Sequence, residues 1–197
     1  MSSYNRLGST NLSYLWVTII LNFVVFIFTT FNQDLIYFVG LSPSTFFDRP
    51  WTILTSMFTH SGFWHILANM LTLYFFGNFL TRMIGEGRMI AIYIIGGLFG
   101  NFLYLLINFL TASPFSIAVG ASGAVFALGG ALAILAPNIK VIVFPIPVPV
   151  SLWIAVIGGF FLLSLMPYIA WQGHLGGLIV GLVAGLILKK QSRTPFY

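Results

Sequence analysis

Apolar residues run along the chain in six long blocks separated by short polar stretches, at about 12–31, 64–84, 89–110, 118–136, 147–166 and 173–188. Each block is close to the roughly 20 residues that an α-helix needs to cross a bilayer's hydrocarbon core. The pattern predicts an all-α, polytopic membrane protein: a six-transmembrane-helix bundle forming a single membrane-embedded domain over 1–197, with no soluble appendage. The first block is read as a true span. It is too long for a cleavable signal peptide, and no small-x-small cleavage site follows it.

Composition agrees. The chain is 59% hydrophobic and 6% charged, against about 25% charged in ordinary soluble domains, so it cannot build a water-facing surface. It has no cysteine, which excludes disulfides and thiol catalysis. The net charge of +5 raises the question of nucleic acid, but orientation explains it better. Lys and Arg gather in cytoplasmic loops. Alternate loops hold Arg6, Arg82, Arg88, Lys140, Lys189, Lys190 and Arg193 on one side and only Arg49 on the other, seven against one. The expected arrangement is a multi-pass protein of the plasma membrane, with the lipid bilayer as partner, no nucleic acid, and both termini cytoplasmic. The long outer loop 32–59 carries Tyr37, Phe38, Phe46, Phe47 and Trp51. It is expected to lie at the bilayer interface, where such aromatic residues are favoured.

Polar residues inside the blocks are the candidates for chemistry, because ionisable side chains are expensive in lipid. In this topology the second, fourth and sixth blocks all run inward. His65, Asn69, Ser122 and His174 then share one depth, just below the outer surface. Ser122 and His174 form a candidate nucleophile and base. None of the three acidic residues lies near either in sequence, so the pair is a dyad with no carboxylate behind the histidine. His65 and Asn69 are four apart and share a helix face. They either donate to an oxyanion, together with backbone N–H groups at the start of the fourth block, or serve as interhelical glue. His60 is expected to be structural, tying the first loop to the second span.

Small residues suggest how the dyad is held. Gly173, Gly177, Gly181 and Gly185 recur every four residues beside His174, and Gly129, Ala133 and Ala136 fall within roughly 40° of Ser122 on a helical wheel. Small residues at this spacing let helices approach closely in lipid. Spans four and six are therefore expected to pack through these two faces. Ordinary small-residue packing, with the serine and histidine there by coincidence, is the alternative.

Three segments together resemble the rhomboid intramembrane serine proteases: His60-Ser61-Gly62-Phe63-Trp64-His65-Ile66-Leu67-Ala68-Asn69, Gly120-Ala121-Ser122-Gly123, and Gly173-His174-Leu175-Gly176-Gly177 with Gly181. They match the family's HxxxN, GxSG and HxxG elements in order, and the resemblance extends over about 49–188. It implies a six-span core, Ser122 as nucleophile and His174 as general base. It also implies an oxyanion hole of His65, Asn69 and the backbone at Ala121 and Ser122. Gly120, Gly123, Gly177 and Gly181 would support the site, and Phe126, where many members have tyrosine, would keep a ring under His174. No metal or cofactor is implied. The implied partners are transmembrane protein substrates, cut in or near their membrane segments. Thr81 aligns where many members carry a glutamate, and Arg49-Pro50-Trp51 matches the family's first-loop motif only loosely.

Span five, with Gly158, Gly159, Trp153, Phe160 and Phe161, is a candidate movable wall for substrate entry. Two rival readings are a rhomboid-like protein that binds clients without cutting them, and a metal-dependent hydrolase using His60, His65 and His174. The intact dyad argues against the first. The five-residue spacing of His60 and His65, with no acidic residue at that depth, argues against the second. A transporter fits least, since there is no internal repeat and no charged path through the spans.

Overall fold

The computed structural model describes residues 13–111, 113, 116–143, 146–167 and 169–191. Leu12, at the edge of the first block, and Arg6 and Arg193, which enter the charge asymmetry, lie outside the described residues. The chain forms helices α1 Tyr14–Phe31, α2 Asp34–Val39, α3 Thr52–Thr55, α4 Phe63–Ile84, α5 Glu86–Leu110, α6 Ser122–Leu135, α7 Leu152–Ser164 and α8 Trp171–Gln191. An antiparallel hairpin, β1 Lys140–Val143 with β2 Ile146–Ser151, links α6 to α7.

Every apolar block contains one of the longer helices, but their lengths differ. By length and composition α1, α5 and α8 are long and apolar enough to cross a membrane. Helix α4 has the length, at 22 residues, but carries His65, Asn69, Asn78 and Arg82 and is less apolar. Helices α6 and α7 have 14 and 13 residues, about 20 Å each at 1.5 Å per residue. Both are shorter than their blocks for local reasons. Residues 118–121 are drawn into a loop, where Ala118 exchanges two backbone hydrogen bonds with Leu41 of the long first loop (2.8 and 3.0 Å). Residues 147–151 belong to β2, because Pro147 and Pro149 bring no N–H for a helical ladder.

Helix α6 is the centre of the bundle. Ala124, Val125, residues 127–133 and Leu135 are all buried. Helices α5 and α8 meet it and each other backbone to backbone. A methyl group added at Gly177 would overlap the carbonyl oxygen of Gly123, and one at Gly181 would overlap that of Ala127. One at Gly176 would lie 2.7 Å from the Cα of Gly100 in α5. The close packing of spans four and six is thus present, but not through the expected face of α6. The contacting stripe is Gly123, Ala127, Gly130 and Ala131, while Gly129 faces Phe76 and Val156. Gly123, the next residue after Ser122, makes the contact, and the Cβ that Gly177 lacks is what lets its backbone approach.

Helix α4 turns directly into α5 at Gly85, whose φ of 85° lies in the left-handed region that favours glycine. Its N–H caps α4 by donating to Thr81 O at 2.9 Å. Glu86 follows in the first turn of α5, where a negative charge suits the helix dipole. Thr81 Oγ1 is buried with no hydrogen-bond partner among the described residues, so Thr81 supplies no structural side-chain bond there.

Candidate active site

Ser122 is the first residue of α6 and His174 the fourth of α8. The glycine contacts beneath them bring the two helix ends together, and His174 Nε2 lies 2.7 Å from Ser122 Oγ. At that distance Nε2 can accept the hydroxyl proton, provided the neutral ring carries its hydrogen on Nδ1. His174 is buried, and its Nδ1 has no hydrogen-bond partner among the described residues. What steadies the imidazole is a ring. Phe126, one turn below Ser122, lies 4.8 Å from His174 centroid to centroid at a tilt of 34°, and Phe160 of α7 packs edge-on against Phe126.

The turn before Ser122 is built from its backbone. Gly120 has φ 131°, a conformation costly for any residue with a Cβ, and its N–H donates to Ser56 O at 2.9 Å. A methyl at Gly120 would lie 2.8 Å from His65 Nε2 and 3.6 Å from Ser122 Oγ. The missing side chain therefore leaves a space bounded by the His65 ring and the serine oxygen.

The tautomer of His65 follows from its other nitrogen. Nδ1 accepts from the Ser61 N–H at 3.4 Å and lies 3.1 Å from Ser61 Oγ. A neutral ring with Nδ1 accepting carries its hydrogen on Nε2, pointing into that space. Asn69 is buried, and its Nδ2 donates to His65 O within the same helix at 2.9 Å, leaving a second N–H on that nitrogen.

His60 differs from its expected place. It is buried, and its Nε2 accepts from the N–H of Ala121 at 3.5 Å, so it ties the first loop to the nucleophile turn rather than only to span two. Its ring also meets that of His65 edge-on, with centroids 5.0 Å apart. The Ala121 amide thus already has a partner, unlike the free donor expected from the sequence.

One further residue outside the motifs holds the turn. Asn101 of α5 donates to Ile53 O at 2.7 Å and to Ser56 Oγ at 2.9 Å, fixing the segment that receives Gly120. A polar residue in the middle of an apolar block was the available signal for Asn101. No group of three or more His, Cys, Asp or Glu among the described residues can hold a metal ion. A cavity of about 20 Å³ opens beside Ser122 and His174, lined also by Met57, Gly97, Asn101 and Val119. That exceeds the roughly 10–15 Å³ that one water requires.

A family model described as the Rhomboid domain matches residues 48–191. The chain belongs to the rhomboid family. Among its curated relatives, Rhomboid protein 1, mitochondrial, of Saccharomyces cerevisiae is 32% identical over 148 residues, 71% of this chain and 42% of the relative. RHOMBOID-like protein 6, mitochondrial, of Arabidopsis thaliana is 34% identical over 148 residues, 75% and 46% of the two chains. Rhomboid protease GluP of Bacillus subtilis is 36% identical over 140 residues, 70% and 26%. The rhomboid chain spans less than half the length of each of these relatives. Family and apolar helices together make it an all-α, multi-pass membrane protein.

Proposed function

We propose that this rhomboid is an intramembrane serine endopeptidase that cuts transmembrane protein substrates in or near their membrane segments. The observation that carries the reading is the 2.7 Å approach of His174 Nε2 to Ser122 Oγ on two helices packed backbone to backbone.

His174 takes the Ser122 proton as Oγ attacks the substrate carbonyl, then delivers it to the leaving amine. The acyl-enzyme is hydrolysed when His174 deprotonates a water, for which the cavity beside the dyad has room. The oxyanion forms in the space left by Gly120, with His65 Nε2–H, the free N–H of Asn69 and the Ser122 amide as donors. Ala121 contributes geometry instead: its amide is held by His60, which aims the turn. No metal or cofactor takes part in this scheme.

The whole chain acts as one domain with six crossings, three of them by helices both long and apolar enough to span a membrane. The charge asymmetry supports cytoplasmic termini and a site opening to the outer face, and a plasma-membrane location is part of the same proposal. Substrate enters beside α7. Gly158 and Gly159 there have nothing within 4 Å of an added methyl, and Trp153 and Phe161 are exposed. Phe160 ties α7 to the site through Phe126.

The test is incubation of purified protein in lipid vesicles with a panel of single-span substrates, followed by mapping of the cut site. Cleavage near the outer end of a substrate span, lost in Ser122→Ala together with labelling by a fluorophosphonate probe, supports the proposal. Probe labelling of Ser122 without cleavage of any substrate would favour a client-binding rhomboid.

A further inference from the structure

The β1–β2 hairpin plays no part in the chemistry proposed above, yet it is the least soluble-looking connection in the chain. Between Lys140 and Ser151 every residue is apolar: Val141 through Val150 includes no polar side chain. The base is marked by a polar contact, Lys140 Nζ to Ser151 Oγ at 2.9 Å. Beyond it Ile142 is 71% exposed, Val148 60% and Val143 37%. Successive strand residues point to opposite faces, so a hairpin facing water on one side alternates apolar with polar. This one is apolar on both.

Its level in the bundle is fixed by contacts. The hairpin leaves α6 at the end opposite Ser122. There Ile134 packs against Gly185 of α8, and Lys189 Nζ lies 3.4 Å from Ile134 O. The hairpin base, itself marked by Lys140, is therefore level with the paired lysines that close α8, Lys189 and Lys190. Lysines at a helix end of a membrane protein reach the headgroup region. Helix α7 supplies about 20 Å against a core of about 30 Å, and at this end residues 147–151 of its apolar block belong to β2 instead of the helix.

We infer that the β1–β2 hairpin is an interfacial element that lies in the headgroup–acyl boundary of the leaflet opposite the Ser122 end. The occupant of its exposed apolar faces is lipid. A second copy of the chain, adding a strand to its edge, is disfavoured by the sequence of β2. Pro147 and Pro149 present no N–H, which blunts the edge as a pairing template. The same absence removes donors that would otherwise be left without water at the boundary. The inference rests on membrane embedding alone, so it stands or falls independently of proteolysis.

The chain has no cysteine, which makes single-site labelling direct. Ile142→Cys and Val148→Cys, each carrying an environment-sensitive fluorophore, are placed in phosphatidylcholine vesicles containing lipids with nitroxides high on the acyl chain. A label at exposed Arg88, introduced as Arg88→Cys at the same end of the bundle, is the aqueous reference. The expected result is that labels at 142 and 148 lose most of their emission to the nitroxide lipids and resist iodide on both sides of the membrane, while the reference responds to iodide. Iodide quenching at 142 and 148 as strong as at the reference would overturn the inference. So would protection from both quenchers, or disulfide coupling of Val148→Cys copies, because protein rather than lipid would then cover the hairpin.

Discussion

His60 Nε2 stands 3.5 Å from the backbone N–H of Ala121, so a side chain of the first loop holds the peptide immediately before the proposed nucleophile. The bond needs a neutral ring with a bare Nε2. Burial first, and then the nearby His65, push His60 from 6.5 down to about 3, which keeps that nitrogen an acceptor.

Replacing His60 with alanine strands a buried amide, at a cost of about 1–3 kcal/mol, and loosens the turn. The melting temperature in detergent is expected to fall and kcat to drop with it. His60→Gln, whose carbonyl can still accept, is expected to recover part of both. The pH dependence has a definite sign. A folded value of about 3 against 6.5 in the unfolded chain means the unfolded state binds more protons between them. The stability from this group is therefore full above 6.5 and is lost as pH falls from there toward 3. Melting curves across that range are expected to be flatter for His60→Gln than for wild type, and equal slopes would refute the role.

Ser122→Ala and His174→Ala are each expected to abolish cleavage in a folded protein. Residues that act as a unit are not additive, so the double variant is expected to be hardly slower than either single one. Substantial cleavage by purified Ser122→Ala would end the assignment.

Gly181→Leu places a side chain where even a methyl overlaps Ala127 O. Helices α6 and α8 are expected to separate, and a displacement of about 1 Å at a reacting pair costs on the order of 100-fold in rate. Gly87→Ala, with nothing within 4 Å of the added carbon, is the matched control and is expected to cut normally. Wild-type rate and melting temperature in Gly181→Leu would contradict backbone contact as the element that sets the dyad distance.

Asn69→Ala separates the two roles considered for that residue. Among the described residues its one side-chain hydrogen bond is to His65 O in its own helix. If its second N–H serves the oxyanion, kcat falls, by up to roughly 3–4 kcal/mol in barrier, with little change in melting temperature. Lower stability, by about 0.6–2 kcal/mol, with unchanged turnover per folded molecule would make it an interhelical or packing residue instead.

The helices were legible because an apolar block of membrane length has few alternatives. Ser122 and His174 were legible because polar side chains are rare in such blocks. The register of α6 against α8 was not. Gly129 and Ala133 lie roughly 120° around the wheel from Gly123 and Ala127, and because both faces carry small residues, their composition does not choose between them. His60 was hidden for another reason: a ring nitrogen accepting from an amide 61 residues away leaves no trace in spacing. Residues 147–151 of the hairpin were read as part of the fifth span, since an apolar run does not by itself distinguish a strand from a helix; the alternating prolines of β2 were the cue.

The burial of α6 on nearly every side has a consequence for how the protein responds to its surroundings. The helix bearing Ser122 is sheathed by its neighbours, so changes in acyl-chain length or fluidity do not act on the serine directly. They act on the outer helices, among them α7, the proposed entry side, where Trp153, Ile154, Phe161 and Leu162 are exposed. A shift in lipid composition should then alter how readily substrates are admitted while leaving the intrinsic reactivity of the serine toward a small soluble acylating agent unchanged.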